Sequence, residues 1–110
     1  MRSKVSSKSV LYKELYKNYL KSKKWKKRKN TYFKKYEKAC LVCSSQNVIL
    51  HHLSYGRLGR EKDADLVPLC FEHHEEFHNM YGTKDLRKNT INFIILQREL
   101  LDFSEKVKTL

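Results

Sequence analysis

No apolar run opens this chain. Residues 1–20 carry Lys4, Lys8, Lys13 and Lys17 and no continuous hydrophobic stretch, so neither a secretory leader nor a membrane span is supported there. Three cysteines cannot pair off completely, which rules out a complete disulfide framework. With no leader the expected compartment is the reducing cytoplasm, where cysteines more often hold a metal. No internal repeat or second domain is visible, and 110 residues suit one small domain. Hydrophobic residues make up 40% of the chain and charged ones 33%. So thin a core usually needs a staple, and with disulfides set aside the expected staple is a structural metal.

Acids are nearly missing from the first forty residues: Glu14 and Glu37 stand against 15 Lys and Arg. The other seventy hold ten acids against nine bases. The whole formal excess of +12 therefore lies in the first part of the chain, as expected of a polyanion binder. Solubility alone would not require the charge to be one-sided.

Residues 1–39 read as a basic helical N-terminal arm. Met1–Lys8 is polar and suits a mobile segment. From Ser9, a plausible N-cap, residues Leu11, Tyr12, Leu15, Tyr16, Tyr19 and Leu20 recur at three and four, which predicts a helix to Ser22. A second helical stretch sets Trp25, Tyr32, Phe33 and Tyr36 on one side and Lys23, Lys24, Lys26, Lys27, Arg28 and Lys29 on the other. Aromatics can stack on bases, but this spacing favours a core role for Trp25, Tyr32 and Tyr36. The six basic residues are then free for phosphates, with affinity but little sequence choice.

Residues 40–82 hold all three cysteines and all five histidines. Val48–Leu50 suits a short strand that delivers His51 and His52 at its end. Ser54–Asp65, with Gly56 and Gly59, reads as a loop. Leu66–Leu69 makes a second strand, which Pro68 assigns to an edge. Phe71–Tyr81 reads as a helix closed by Gly82. Residues 83–110 form a C-terminal segment, helical from Asn89, whose Phe93, Leu96, Leu100, Phe103 and Val107 recur at three and four. That face either covers the metal core or pairs with a partner.

Two metal sites follow from the spacings. Cys40 and Cys43 form a C-x2-C pair, and Cys70 and His73 a C-x2-H pair after 26 intervening residues. Together they make a tetrahedral set suited to structural Zn2+. His74 and His78 are four apart on one helix face, while His73 is turned about 100° away toward the other site. His51 and His52 point in opposite directions along a strand, so one of them completes a three-histidine site and the other stands free beside the metal. Three ligands leave positions open for water or a phosphate oxygen. An adjacent imidazole can take a proton from water near neutral pH. Metal plus base is what phosphodiester hydrolysis requires.

These residues resemble the HNH nuclease family, whose core is the ββα-metal (His-Me finger) fold. The likeness covers C-x2-C, Ile49–Tyr55 (ILHHLSY), Gly59-x-Glu61, Asp65–Cys70 (DLVPLC) and His74-x3-His78. The lead-in Tyr19-Leu-Lys-Ser-x-x-Trp25 and Tyr36-x3-Cys40 adds to it. The resemblance implies an α+β fold with a zinc-stabilised ββα-metal core between flanking helices. It places His51, His74 and His78 on the catalytic ion (Mg2+, Mn2+, Ni2+ or Zn2+) and His52 on the general base. The implied activity is hydrolysis of double-stranded DNA to 5′-phosphate and 3′-hydroxyl ends. Asp65 stands where the family's loop-bracing Asn is expected, and an ionised Asp accepts hydrogen bonds but cannot donate them. His73 stands where many relatives have a fourth Cys. The alternative reading is a catalytically silent zinc module that binds nucleic acid, which would have no need for His52. A toxin-like nuclease with a cognate inhibitor is a third reading, disfavoured by the lack of a translocation segment.

Overall fold

The structure, a computed structural model, describes the backbone of residues 2–109 and the side chains of residues 11–109. Its elements run α1 (Arg2–Leu20), α2 (Lys23–Lys35), β1 (Val48–His52), β2 (Leu66–Cys70), α3 (Phe71–Tyr81) and α4 (Leu86–Lys108), with a 3-10 turn at Asp63–Asp65. The class is α+β. None of the described helices is long and apolar enough to cross a membrane.

Helix α1 starts earlier than the sequence reading has it. Residues 2–8, expected as a mobile segment, are helical, and Ser9 lies inside the helix rather than at its cap. No Pro or Gly interrupts residues 2–20, so helical hydrogen bonding continues past Ser9. The break falls at Ser22, whose extended backbone and Oγ, accepting from Trp25 N–H at 3.1 Å, cap α2.

The sheet has two antiparallel strands, with Leu50 opposite Pro68 and His52 opposite Leu66. Both strands are edges, so the missing N–H of Pro68 costs no ladder bond, and its carbonyl accepts from Leu41 N–H at 3.1 Å. Alternation gives the sheet two apolar faces. Leu50 and Leu66 pack with Trp25 and Tyr32 of α2. On the other face Leu69 packs with Phe77 of α3 and Leu86 and Phe93 of α4. Each such large side chain contributes about 1.5–3 kcal/mol when fully buried. Trp25 and Tyr32 take the expected core places, but Tyr36 does not. It caps α2 in extended conformation, exposed, with its hydroxyl 3.2 Å from Asp63 Oδ2. Leaving the helix swings its ring off the buried stripe.

Candidate functional site

Cys40, Cys43, Cys70 and His73 offer ligand atoms that all lie within 4.8 Å of one another. A tight turn with Ser44 at φ 67° joins the first pair, closed by Ser44 N–H donating to Cys40 O at 2.9 Å. Cys70 caps α3, its Sγ accepting from His73 N–H at 3.5 Å and standing 3.1 Å from His73 Nδ1. None of the cysteines is in a disulfide. Burial raises both inner thiols. At Cys40 it is outweighed by N–H groups of Cys70, Cys43 and Val42 and by His73, which bring the thiol down to about 7. At Cys70 burial prevails, with the neighbouring Cys43 and Cys40 sulfurs adding to it, and the thiol is pushed up to about 12. One negative charge is favoured and a second is resisted, a conflict that a divalent cation resolves. Three sulfurs and one imidazole in this arrangement could hold an ion such as zinc.

The second cluster is all imidazole. His51, His74 and His78 also bring ligand atoms within 4.8 Å of one another, with ring centroids 4.6–5.3 Å apart. Helical spacing sets His74 and His78 edge to face on one side of α3, and the strand end brings His51 to them. Burial first, then the other imidazoles, pushes His51 down to about 3 and His74 to about 4. Both rings are therefore neutral near pH 7, the form that binds metal. Two further groups orient the rings. Gly82, at φ 61°, turns its carbonyl back to His78 Nδ1 at 2.7 Å, so Nδ1–H donates and Nε2 is left for a ligand. Thr90 Oγ1 of α4 lies 2.9 Å from His51 Nε2, with both residues buried.

His52 faces the opposite side of β1. It does not stand free beside the histidine cluster, as the sequence reading expects; it is 2% exposed and fully engaged. Its ring stacks on Trp25 at 4.7 Å, and its Nε2 lies 2.8 Å from Glu61 Oε2. Tyr19 hydroxyl lies 2.8 Å from both Glu61 oxygens. Burial raises the Glu61 carboxyl, but the bonds from His52 and Tyr19 outweigh it and hold the group below its usual range. An ionised Glu61 fixes the proton on His52 Nε2 and leaves the Nδ1 lone pair open. Facing that lone pair, at 3.4 Å, is the hydroxyl of Tyr16, which burial keeps protonated.

Comparison with protein-family models, with curated proteins and with solved structures finds no match for this chain. Its function rests on its own geometry.

Asp65 is wholly buried and accepts from Arg57 Nε at 2.8 Å, Arg87 Nη2 at 3.0 Å and Lys62 N–H at 3.0 Å. Its carbonyl accepts from Leu53 N–H at 2.7 Å. Every partner is a donor, so the anion needs no donor of its own. Arg57 and Arg87 hold it well below the usual carboxylate range, and it pins the loop that carries Glu61.

Of the basic residues, Lys23, Lys24, Lys26 and Lys27 are exposed on α2. Lys24 also lies over Gly59, where a Cβ would meet its Nζ at 3.3 Å and φ is +84°. Lys29 sits 5.9 Å from the Trp25 ring centre. Arg28, expected on phosphates, is instead committed inward. It donates to Glu61 O at 3.0 Å and to Asp63 Oδ1 at 2.6 Å, because the loop carrying Glu61 packs against α2. A cleft of about 310 Å³ runs beside α2, with Tyr16, Trp25, Lys29, Lys38 and His74 in its walls. It reaches both the histidine cluster and the aromatic side chains around His52.

Sequence reasoning assigned no role to Glu61, Tyr16, Tyr19 or Thr90. The advance signals are Glu61's place in Gly59-x-Glu61, Tyr19's place in the lead-in to Trp25, and the place of Tyr16 and Tyr19 in the apolar stripe of the first helix.

Proposed function

We propose that this chain is a metal-dependent HNH-type endonuclease acting on DNA, with β1, β2 and α3 as a ββα-metal core. One juxtaposition carries the reading: a three-imidazole cluster and, at the next residue of the same strand, a histidine held by a buried carboxylate. His51, His74 and His78 would hold the ion, which would supply Lewis acidity to the phosphoryl group. His52 Nδ1 takes the proton of the attacking water while Glu61 holds Nε2–H and steadies the imidazolium that forms. The water oxygen bonds to phosphorus, the P–O3′ bond breaks, the leaving 3′ oxygen takes a proton from solvent water, and a 5′-phosphate and a 3′-hydroxyl result. Lys23, Lys26 and Lys27 meet phosphates from α2, and Lys29 does so at the cleft. Tyr16 hydroxyl must leave Nδ1 for water to reach it, so DNA binding and a shift of α1 go together.

The burial of His52 under Tyr16 favours a second reading, a zinc module that binds nucleic acid without cutting it. Supercoiled-plasmid cleavage by the wild type and His52→Ala, with Mg2+, Mn2+, Ni2+ or Zn2+ and with chelator, separates the two. Metal-dependent nicking by the wild type should fall about 10²–10⁴-fold in the variant, while gel-shift affinity and the far-UV spectrum hold. Gel shifts without cleavage by either protein would establish the silent module. Cleavage undiminished in the variant would remove His52 from the chemistry.

A further inference from the structure

We infer that the C-terminal half of α4 pairs antiparallel with the same helix of a second copy of this chain. Among the described residues the buried positions of α4 all lie in its first part, at Leu86, Thr90 and Phe93. Every described side chain from Arg98 onward is exposed. Along that free half Leu96, Leu100, Phe103 and Val107 are 45–66% exposed. Their spacing is four, three, four, the alternation of a coiled-coil seam. At 100° per residue the four fall within about 60° of the helix circumference, a single stripe.

The flanking charges say what covers it. Taking Leu100 and Val107 as a positions and Leu96 and Phe103 as d positions puts Glu99 and Lys106 at g, and Gln97 and Ser104 at e. An antiparallel two-fold pairing sets Leu100 against Phe103 of the second copy and Leu96 against Val107 of the second copy. The same register brings Glu99 beside Lys106 of the second copy, twice by symmetry. Parallel pairing sets g against e, so Glu99 meets only Ser104. Self-pairing in the antiparallel sense thus gives each seam residue an apolar partner and each g charge an opposite one. The inference is independent of the nuclease reading, because it is read as mass.

Sedimentation equilibrium of the full chain over a concentration series, with and without DNA-sized polyanion, tests it. The wild type should pass from monomer to dimer at about micromolar to tens of micromolar, as suits a seam of two heptads. Leu100→Glu should leave a monomer with unchanged helicity, since the side chain is exposed. Glu99→Lys and Lys106→Glu should each weaken the dimer about tenfold by turning two attractive pairs into repulsive ones. The double exchange E99K/K106E should restore it. A wild type that stays monomeric throughout overturns the inference. So does a dimer that survives Leu100→Glu, or one that the double exchange fails to rescue.

Discussion

His51 and His52 are neighbours on one strand, yet their surroundings have little in common. His51 faces two other imidazoles and a threonine, with no carboxylate hydrogen-bonded to it among the described residues. His52 faces a carboxylate, two phenols and an indole. The first set presents imidazole lone pairs that could hold a cation. The second directs a proton to Nε2 and leaves the Nδ1 lone pair facing the Tyr16 hydroxyl. Strand alternation turns the two rings to opposite sides of β1, while the cleft beside α2 reaches both His74 and the aromatic residues around His52.

Both sides depend on the cysteine cluster, which fixes the start of α3 and hence His74 and His78. Cys43→Ser should therefore have the largest effect on either. Cys43 is exposed, so its replacement leaves no cavity and costs almost nothing unless the sulfur holds an ion. Loss of bound zinc together with loss of cooperative thermal unfolding is expected. A variant that melts like the wild type, with no zinc in either, would show the cluster to be free thiols, two buried and one exposed, and no clamp.

Glu61→Gln acts on the His52 side alone. The amide preserves shape and an acceptor but removes the charge that steadies an imidazolium. Cleavage should fall about 10–100-fold, while zinc content and the far-UV spectrum stay as in the wild type. Equal losses of stability and cleavage would mean that the carboxylate serves packing only.

The contrast between the two histidines was partly legible in the sequence. Cys40-x2-Cys43, Cys70-x2-His73 and His74-x3-His78 announce their clusters, because turns and helices fix such short spacings. Strand alternation separates His51 from His52 before any coordinates are known. What surrounds His52 was not legible, because Tyr19 lies 42 residues from Glu61 and Tyr16 lies 36 from His52. Pairings that distant depend on how α1 and α2 pack over the sheet, which no local spacing encodes. Arg28 was misplaced for the same reason. On a helix otherwise studded with lysines it looked solvated, whereas its acceptors lie more than thirty residues ahead. Thr90 was hidden in a helix read only for its apolar stripe.

Thr90→Val tests the His51 side and should have the smallest effect of the three. Valine fills the same space, so packing is kept and only the Oγ1 contact to His51 Nε2 is lost. A ring no longer held in place should bind metal about tenfold more weakly, and an unpartnered buried ring nitrogen costs about 1–3 kcal/mol. Acid should expose the same site in the unsubstituted protein when the imidazoles are free of metal. His51 sits at about 3 and His74 at about 4 in the folded chain, below the ordinary value near 6.5. As pH falls, the unfolded chain binds these protons first. Stability from the neutral rings is therefore fully present above about pH 6.5 and is lost progressively toward pH 3. Metal bound at His51, His74 and His78 would add to the stability at neutral pH and would be displaced over the acidic range. Isothermal titration with Mn2+ or Ni2+ and chemical denaturation at pH 7 and pH 5 would measure both effects. A Thr90→Val protein with wild-type metal affinity would show that His51 is held by the sheet alone.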